Sequence, residues 1–315
     1  MADGWIFIKG ASEYPFMLKS IFMVWVLSQN LAISQEAYEQ YLGYRASDQG
    51  LVDDKVALAI GRPELAGQPY VTLVPSAGPQ VAIRLVSGAE PGYRAMRRVG
   101  WSAIELLVRD PEALRQQLSG SGFTHLRGPD YLTEQKNILA MQVIGPDGEL
   151  LYLTQLVDPA QSILQPQSNP APVGHTFIMV MGSPNLSGTL QFFTDHFGNT
   201  VMGPLPYKIG VLSDAYGLPV ETKHSLALLS MTDGYGLEID QYPSGASAVP
   251  ASQGERGGVI LVSLSADLKG LKRQPDWTSV HLGEGGAVVG GIVKLPSGTP
   301  LEIFFTEPLL PPLIN

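Results

Sequence analysis

The chain has 315 residues, of which 44% are hydrophobic and 16% charged, a composition typical of a globular protein large enough for two domains. Its net charge of −9 makes nucleic acid an unfavourable partner, and the absence of cysteine excludes disulfides, thiolate metal ligands and cysteine nucleophiles. The 35 glycines and 25 prolines predict many turns and a sheet-rich fold rather than long helices.

The apolar segment Ile21–Leu27 is the first predicted strand. It is far shorter than the roughly 20 residues that a transmembrane helix needs. It also lacks the order of basic start, apolar centre and small-residue cleavage site that marks a signal peptide. We therefore expect a cytoplasmic protein without a membrane segment.

One pattern recurs four times along the chain: an apolar strand, an amphipathic helix that ends near glycine, and several short strands. In the first copy the strand SIFMVWVL precedes the helix SQEAYEQYLGYR, which Gly43 ends. The second copy has the clearest helix start, with Asp110 as the N-cap and Pro111 at the first helical position. The third copy runs from HTFIMVM to LEIDQY, and the fourth from GVILVSL through a helix near ADLKGLKRQ to LEIFF.

A segment rich in proline, glutamine and serine, Asp158–Val173, separates the second copy from the third. Such a shift in composition is typical of an interdomain linker. It predicts that residues 1–157 form an N-terminal pair of repeats, residues 158–173 the linker, and residues 174–315 a C-terminal pair.

The series HTFIMV…LQFFTDHFG…GLEID, from His175 to Asp240, carries the most specific family likeness. A strand, a helix ending in glycine and three further strands, repeated in pairs, resembles the vicinal oxygen chelate superfamily of glyoxalases, bleomycin resistance proteins and extradiol dioxygenases. The resemblance implies an α+β fold in which four βαβββ modules pair into two cupped mixed-sheet domains. It also implies that metal ligands come from the first and last strands of paired modules.

Carried over to this sequence, the resemblance implies a metal site in the C-terminal pair. His175 opens the first strand of the third module, and Glu238 and Glu302 stand in the last strands of the third and fourth. One imidazole and two carboxylates suit a divalent ion of iron, manganese, zinc or nickel. Glu238 would double as the catalytic base, and His224, at the start of an inner strand, is a candidate acid/base or pocket group.

The N-terminal pair lacks such a ligand set. Its corresponding positions fall near Lys19 and Ala82 in the first module and near Ser102 or Ala103 and Tyr152 in the second. The resemblance therefore implies a scaffold there, or a site that has lost its metal. Glu105 and Tyr152 line a residual pocket in one interpretation, and in the other Glu105 points outward from its strand.

Three functions stay open on the sequence. The preferred one is a glyoxalase-like, metal-dependent lyase or isomerase acting on a small molecule with vicinal oxygens, because the second histidine of an extradiol dioxygenase site is missing. The alternatives are a ring-cleaving dioxygenase that uses ferrous iron and a metal-free protein that binds or sequesters a small molecule. The expected partner is a small-molecule substrate or ligand, with a homodimer as the candidate assembly and neither nucleic acid nor membrane involved.

Overall fold

The structure is a computed structural model that describes residues 7–8, 16–168, 170–244, 256–268, 276–283 and 288–309. These residues form an α+β fold of seventeen strands and five α-helices. No helix in the described ranges is long and apolar enough to cross a membrane.

The four predicted repeats are present in chain order. A short strand, β1 (Phe7–Ile8), comes before them. The elements of repeat one are β2 (Phe16–Ser28), α1 (Leu31–Leu42), β3 (Tyr44–Leu51), α2 (Asp54–Ala59), β4 (Pro69–Pro75) and β5 (Ala82–Ser87). Those of repeat two are β6 (Gly100–Val108), α3 (Pro111–Gln117), β7 (Thr124–Tyr131), β8 (Ile138–Ile144) and β9 (Leu150–Leu156).

Repeats three and four follow the same plan. The elements of repeat three are β10 (Val173–Ser183), α4 (Leu186–His196), β11 (Thr200–Lys208), α5 (Gly210–Tyr216), β12 (Lys223–Ser230) and β13 (Gly236–Gln241). Those of repeat four are β14 (Gly258–Leu268), β15 (Trp277–Leu282), β16 (Val288–Lys294) and β17 (Pro300–Leu309). The helix predicted near residues 266–274 lies mostly outside the described residues, and its first three residues belong to β14.

Side-chain caps fix the starts of the helices that follow the first strands. The Asp110 carboxylate accepts a hydrogen bond from the Ala113 amide, and Pro111 occupies the first turn of α3, as predicted. Asn30 caps α1 in the same way. Gly43 ends α1 in the left-handed conformation at φ 69°, which confirms its predicted role.

The strands form two mixed sheets, and each sheet joins two repeats. Sheet A has the order β1-β11-β12-β13-β10-β6-β9-β8-β7 and therefore joins repeats two and three. Sheet B has the order β15-β16-β17-β14-β2-β5-β4-β3 and joins repeats one and four. Four modules thus pair into two cupped sheets, but the predicted partners are wrong, because the first repeat pairs with the last.

This pairing also corrects the predicted domain division. Residues 158–173 connect β9 to β10, and both strands belong to sheet A on either side of β6. The segment is a connection within one sheet, so 1–157 and 174–315 are not two separately paired halves. Its proline-rich composition reflects an irregular course between two strands of one sheet.

One face of each sheet and helices α1, α3 and α4 form a continuous apolar core. Polar contacts join the repeats within it: the Tyr38 hydroxyl on α1 donates to Glu149 at 2.8 Å, and the Trp101 indole donates to the Pro300 carbonyl at 2.9 Å. Because side chains alternate along a strand, the residues between these core positions face the inner surface of each sheet. We call these inner surfaces cup A and cup B.

Candidate ligand-binding cup

Cup A encloses a cavity of about 460 Å³. Strands β6, β9, β10 and β13 provide its floor, and β7, β8, β11 and β12 its walls. The walls and floor are mainly apolar, and their apolar side chains are Leu132, Ile138, Ala140, Leu156, Ile163, Leu164, Phe177, Ile178, Met202, Leu205, Ile209, Val211, Val220, Leu226 and Leu228. A cavity of this size and polarity accommodates a small organic molecule.

Strand register brings two glutamates onto this floor. Glu105 on β6 pairs with Tyr152 on β9 and with Ile178 on β10, and all three line the cavity. Glu238 on β13 pairs with Val180 on β10 and also lines the cavity. The neighbours of Glu238 along the strand belong to the core, so alternation directs its carboxyl group inward.

The carboxyl groups of the floor are held away from water. Burial and the nearby charge of Glu238 raise the pKa of Glu105 to about 8, against a smaller opposing effect of the Thr154 hydroxyl. Burial raises the pKa of Glu238 to about 7. The pKa of Asp240, two residues further along β13, is also raised by burial and by Glu238.

Within the part of the chain that the structure describes, several polar atoms near the floor lack hydrogen-bond partners. Both carboxyl oxygens of Asp240, which is fully buried, have none, and neither does the buried hydroxyl of Tyr152. Buried polar groups are nearly always hydrogen-bonded, so such atoms mark a place that a ligand or water completes. The Tyr152 hydroxyl belongs to a cavity-lining side chain.

Of the residues predicted to bind metal, the structure places only Glu238 in the cavity. His175 is fully buried, packs against the Tyr235 ring at 5.5 Å and is not among the cavity-lining residues. Both of its ring nitrogens lack hydrogen-bond partners among the described residues, and burial lowers its pKa to about 4. Glu302 lies in sheet B, so the three predicted ligands are not brought together, because the repeats pair differently from the prediction.

His224 also lies outside the cavity lining. Its Nε2 atom is 2.9 Å from the Ser213 hydroxyl, which joins β12 to α5. The side chain is buried, and burial lowers its pKa. The catalytic role predicted for His224 is therefore not supported by a position in the cavity. Its observed contact with Ser213 holds β12 against α5.

The donor set of cup A does not fit a divalent metal ion. The four central floor positions offer the carboxyl groups of Glu105 and Glu238, the phenol of Tyr152 and the aliphatic side chain of Ile178. Metal sites of the predicted kinds take at least three strong protein ligands. Within the ranges that the structure describes, no three histidine, aspartate or glutamate side chains are grouped to hold one.

Glu105 is the main functional candidate that the sequence left undecided. It is a single acid in the strand GWSAIELLV, whose other residues are nearly all buried. An acid at the centre of such a strand is a recognisable signal, because the residues two positions away on the same face, Ala103 and Leu107, are both apolar. Asp240 is a further candidate, and its sequence signal is the spacing of Glu238 and Asp240, which directs both to one face of β13.

Cup B carries different chemistry at equivalent positions. Glu302 pairs with Ser263 as Glu238 pairs with Val180, and Trp25 pairs with Arg84 as Glu105 pairs with Tyr152. The Glu302 carboxylate accepts hydrogen bonds from the Ser263 hydroxyl and from His281, the latter at 2.8 Å.

Arg84 is equally well partnered. Its guanidinium lies 5.0 Å from the centre of the Trp25 ring and 3.9 Å from that of Tyr70, and it pairs with Asp48 at 3.2 Å. A second apolar cluster packs on this inner face, and it comprises Trp25, Leu27, Val52, Ala57, Ala59, Ile60, Leu65, Val86, Ile260, Leu261 and Ile292.

No protein-family model and no curated protein sequence matches the chain. Solved structures do match over nearly its whole length. Glyoxalase I from Zea mays superposes with a TM-score of 0.59 at 14% identity, covering 91% of this chain and 92% of that one. A candidate dioxygenase from Bacillus subtilis superposes with a TM-score of 0.60 at 11% identity, covering 93% and 87%. The chain therefore has the vicinal oxygen chelate fold, as the sequence predicted.

Proposed function

We propose that cup A binds a small, mainly apolar molecule and transfers a proton on it between Glu238 and Glu105, as a metal-independent isomerase or lyase. The observation that supports this most is that two carboxyl groups with raised pKa values face one apolar cavity. Their pKa values, about 7 and about 8, lie near the pH at which a cell works, which is where an acid/base catalyst is most effective.

We assign the roles from the charge interaction within the pair. Glu238 is the ionised member and acts as the base that removes a proton from a carbon beside a carbonyl group. Burial and the charge of Glu238 both raise the pKa of Glu105, so Glu105 holds its proton and gives it to the carbonyl oxygen, and a neutral enediol forms. Glu238 then gives its proton to the former carbonyl carbon while Glu105 takes the proton of the other hydroxyl group, so that the carbonyl group has moved to the adjacent carbon and both residues are restored.

The cavity mouth supports an apolar substrate body. Leu132, Ile163 and Val220 line the cavity and are exposed to 37%, 49% and 46%. Exposed apolar side chains grouped around an opening are typical of a binding site for an apolar molecule. Among the functions considered from the sequence, this proposal keeps the lyase or isomerase class and the small-molecule substrate, and it omits the metal because the donor set does not fit one.

Proton exchange tests the proposal directly. The wild-type protein is incubated in D₂O with 2-hydroxy-1-phenylethanone, an aromatic α-hydroxyketone, and with a chelator present, and deuterium incorporation beside the carbonyl is followed by NMR. We expect exchange above the buffer rate, reduced by about a hundredfold or more in Glu238→Gln because the base is lost. Glu302→Gln, at the equivalent position of cup B, serves as the matched control and should exchange like the wild type.

Two outcomes would contradict the proposal. Exchange that survives Glu238→Gln would show that another group is the base. The proposal would also fail if related α-hydroxyketones bind to the wild type and none of them exchanges deuterium, because cup A would then transfer no proton.

Binding without turnover is the second candidate function. It is favoured by Ile178, an apolar residue at a floor position where the family implies a metal ligand. It is also favoured by the Tyr152 hydroxyl, which has no hydrogen-bond partner among the described residues and could bond to a bound ligand. Equilibrium dialysis separates the two: equal ligand affinity in the wild type and Glu238→Gln, without exchange in either, supports sequestration. A ring-cleaving dioxygenase is not proposed, because the described residues do not gather the ligands that ferrous iron requires.

A further inference from the structure

The acids of cup A have no counter-ion within the described part of the chain. Glu105, Glu238 and Asp240 form no ion pair with lysine, arginine or histidine there. Buried acids are normally paired with a cation or kept neutral, because an isolated charge in an apolar site is costly.

The two cations on the cavity walls are already occupied. Arg127 makes a bidentate pair with Asp214 at 2.7 and 2.8 Å. Lys208 pairs with Glu221. Among the cavity-lining residues the acids are Glu105, Asp130, Glu221 and Glu238, against only these two bases. The cavity therefore disfavours an anion and favours a positive charge at its floor.

In cup B the chain itself supplies a cation to the glutamate of the floor. At the position equivalent to Tyr152 it carries Arg84, whose guanidinium interacts electrostatically with Glu302 across the floor. Glu302 has a second basic neighbour in His281. Cup A has a phenol where cup B has the guanidinium, so the described residues do not supply cup A with the positive charge that cup B has.

We propose that the ligand of cup A is an amphipathic organic cation, with an apolar body and a single ammonium or amidinium group that lies between Glu105, Glu238 and the Tyr152 hydroxyl. This inference rests on the proposed function, because both place the ligand in cup A. It adds the chemical class of that ligand. The apolar walls take the body, and the carboxyl groups and the phenol oxygen accept hydrogen bonds from the cationic group. The second oxygen of each carboxyl group is left for the proton transfer.

A charge series of equal-sized probes tests this. Binding of 4-phenylbutylammonium, 4-phenylbutan-1-ol and 4-phenylbutanoate is measured by calorimetry at one pH and at two salt concentrations. We expect the ammonium to bind with a stoichiometry of one and at least about tenfold more tightly than the alcohol, as one charge-assisted hydrogen bond gives. The carboxylate should bind most weakly.

Variants locate the effect. In the double variant Glu105→Gln, Glu238→Gln the preference for the ammonium should disappear while the alcohol still binds, and the retained alcohol binding shows that the cup is folded. Tyr152→Arg, which copies cup B, should weaken the ammonium by at least about tenfold through like-charge repulsion. Glu302→Gln should leave all three affinities unchanged.

The failures are distinguishable. Equal affinity of the alcohol and the ammonium, or a preference that survives the double variant, would overturn the cationic ligand and leave the proposed function standing. Binding of none of the three probes would overturn both, because cup A would then not be a site for molecules of this size.

Discussion

The two cups of this molecule are built from the same repeat and use matching strand positions in opposite ways. In cup B, Glu302 is bonded to Ser263 and His281, and Arg84 lies against aromatic rings with its own carboxylate partner. In cup A, Glu238 faces a cavity whose two lining cations, Arg127 and Lys208, are paired with other acids. The difference teaches that a buried glutamate whose carboxylate is bonded to other side chains contributes to stability. A buried glutamate without such partners is available to bind a ligand.

The largest expected effect is a loss of stability from a substitution in the apolar cluster of cup B. Trp25→Ala removes the largest side chain of the second apolar cluster, and we expect the free energy of unfolding to fall by about 3–5 kcal/mol. Urea unfolding measures the loss. The proton exchange of cup A should continue in the folded fraction. A parallel loss of exchange there would show that the cups are not independent.

Equivalent substitutions of the two glutamates sharpen the comparison. Glu302→Leu strands the Ser263 hydroxyl and His281, so we expect a loss of about 1–3 kcal/mol in unfolding free energy. Glu238→Leu removes a buried acid without a cationic partner, and the change should be within about 1 kcal/mol or stabilising. Equal losses in both variants would contradict the assignment of cup A to function.

The pH dependence of stability should be dominated by the unpaired acids. Because the folded pKa values of Glu105 and Glu238 lie near 8 and 7, above an ordinary glutamate value of 4.5, the folded state holds protons that the unfolded state releases. The stabilisation is complete below about pH 4.5 and is lost as the pH rises through 7 and 8, at up to about 1.4 kcal/mol per pH unit per group.

Unfolding free energies between pH 6.5 and 8 check this sign, because below pH 6.5 the buried His175, whose pKa is lowered from 6.5 to about 4, contributes a slope of the opposite sign. Glu105→Gln should flatten the decline, whereas Glu302→Gln should leave its slope unchanged. Glu149, buried in the core with its pKa raised to about 8, contributes a slope of the same sign that both variants retain. A stability that rises over this pH range would contradict the neutral state of these acids.

The smallest effect is expected at the cavity mouth. Val220→Ser replaces an exposed apolar side chain at the opening, and we expect the affinity of the alcohol probe to fall by about threefold, from the lost apolar contact. Val280→Ser, at a similarly exposed residue of sheet B, is the matched control and should change nothing. An equal effect of both would indicate binding away from cup A.

Much of the fold could be predicted because its signals are local. The cap at Asp110, the stop at Gly43 and the apolar first strands each depend on neighbouring residues, and the structure confirms them. The pairing of repeats could not be predicted, because all four first strands are similarly apolar and nothing local distinguishes their partners. The linker composition was misleading for that reason.

In the site, too, features that depend on neighbouring residues could be predicted, whereas features that depend on the pairing of repeats could not. Glu238 was identified from its place in the last strand, and it does face a cavity. Its expected partners His175 and Glu302 were chosen from a pairing that does not occur, so they lie elsewhere. Glu105 and Tyr152 belong to the repeat that actually pairs with the third, and no local pattern reveals this.

The nested pairing of the strands also constrains how the chain reaches its native state. Strands β6 and β10 of the central repeats pair across a shorter stretch of chain, for example Val108 with Val173, whereas β2 pairs with β14, for example Leu27 with Gly258, across most of the sequence. Closing a short loop costs less entropy than closing a long one, so the central sheet can form first and the outer sheet must wait for the last repeat. During synthesis on the ribosome, the first repeat would therefore be exposed without its partner until late in translation, and that apolar strand is where a chaperone would be needed most.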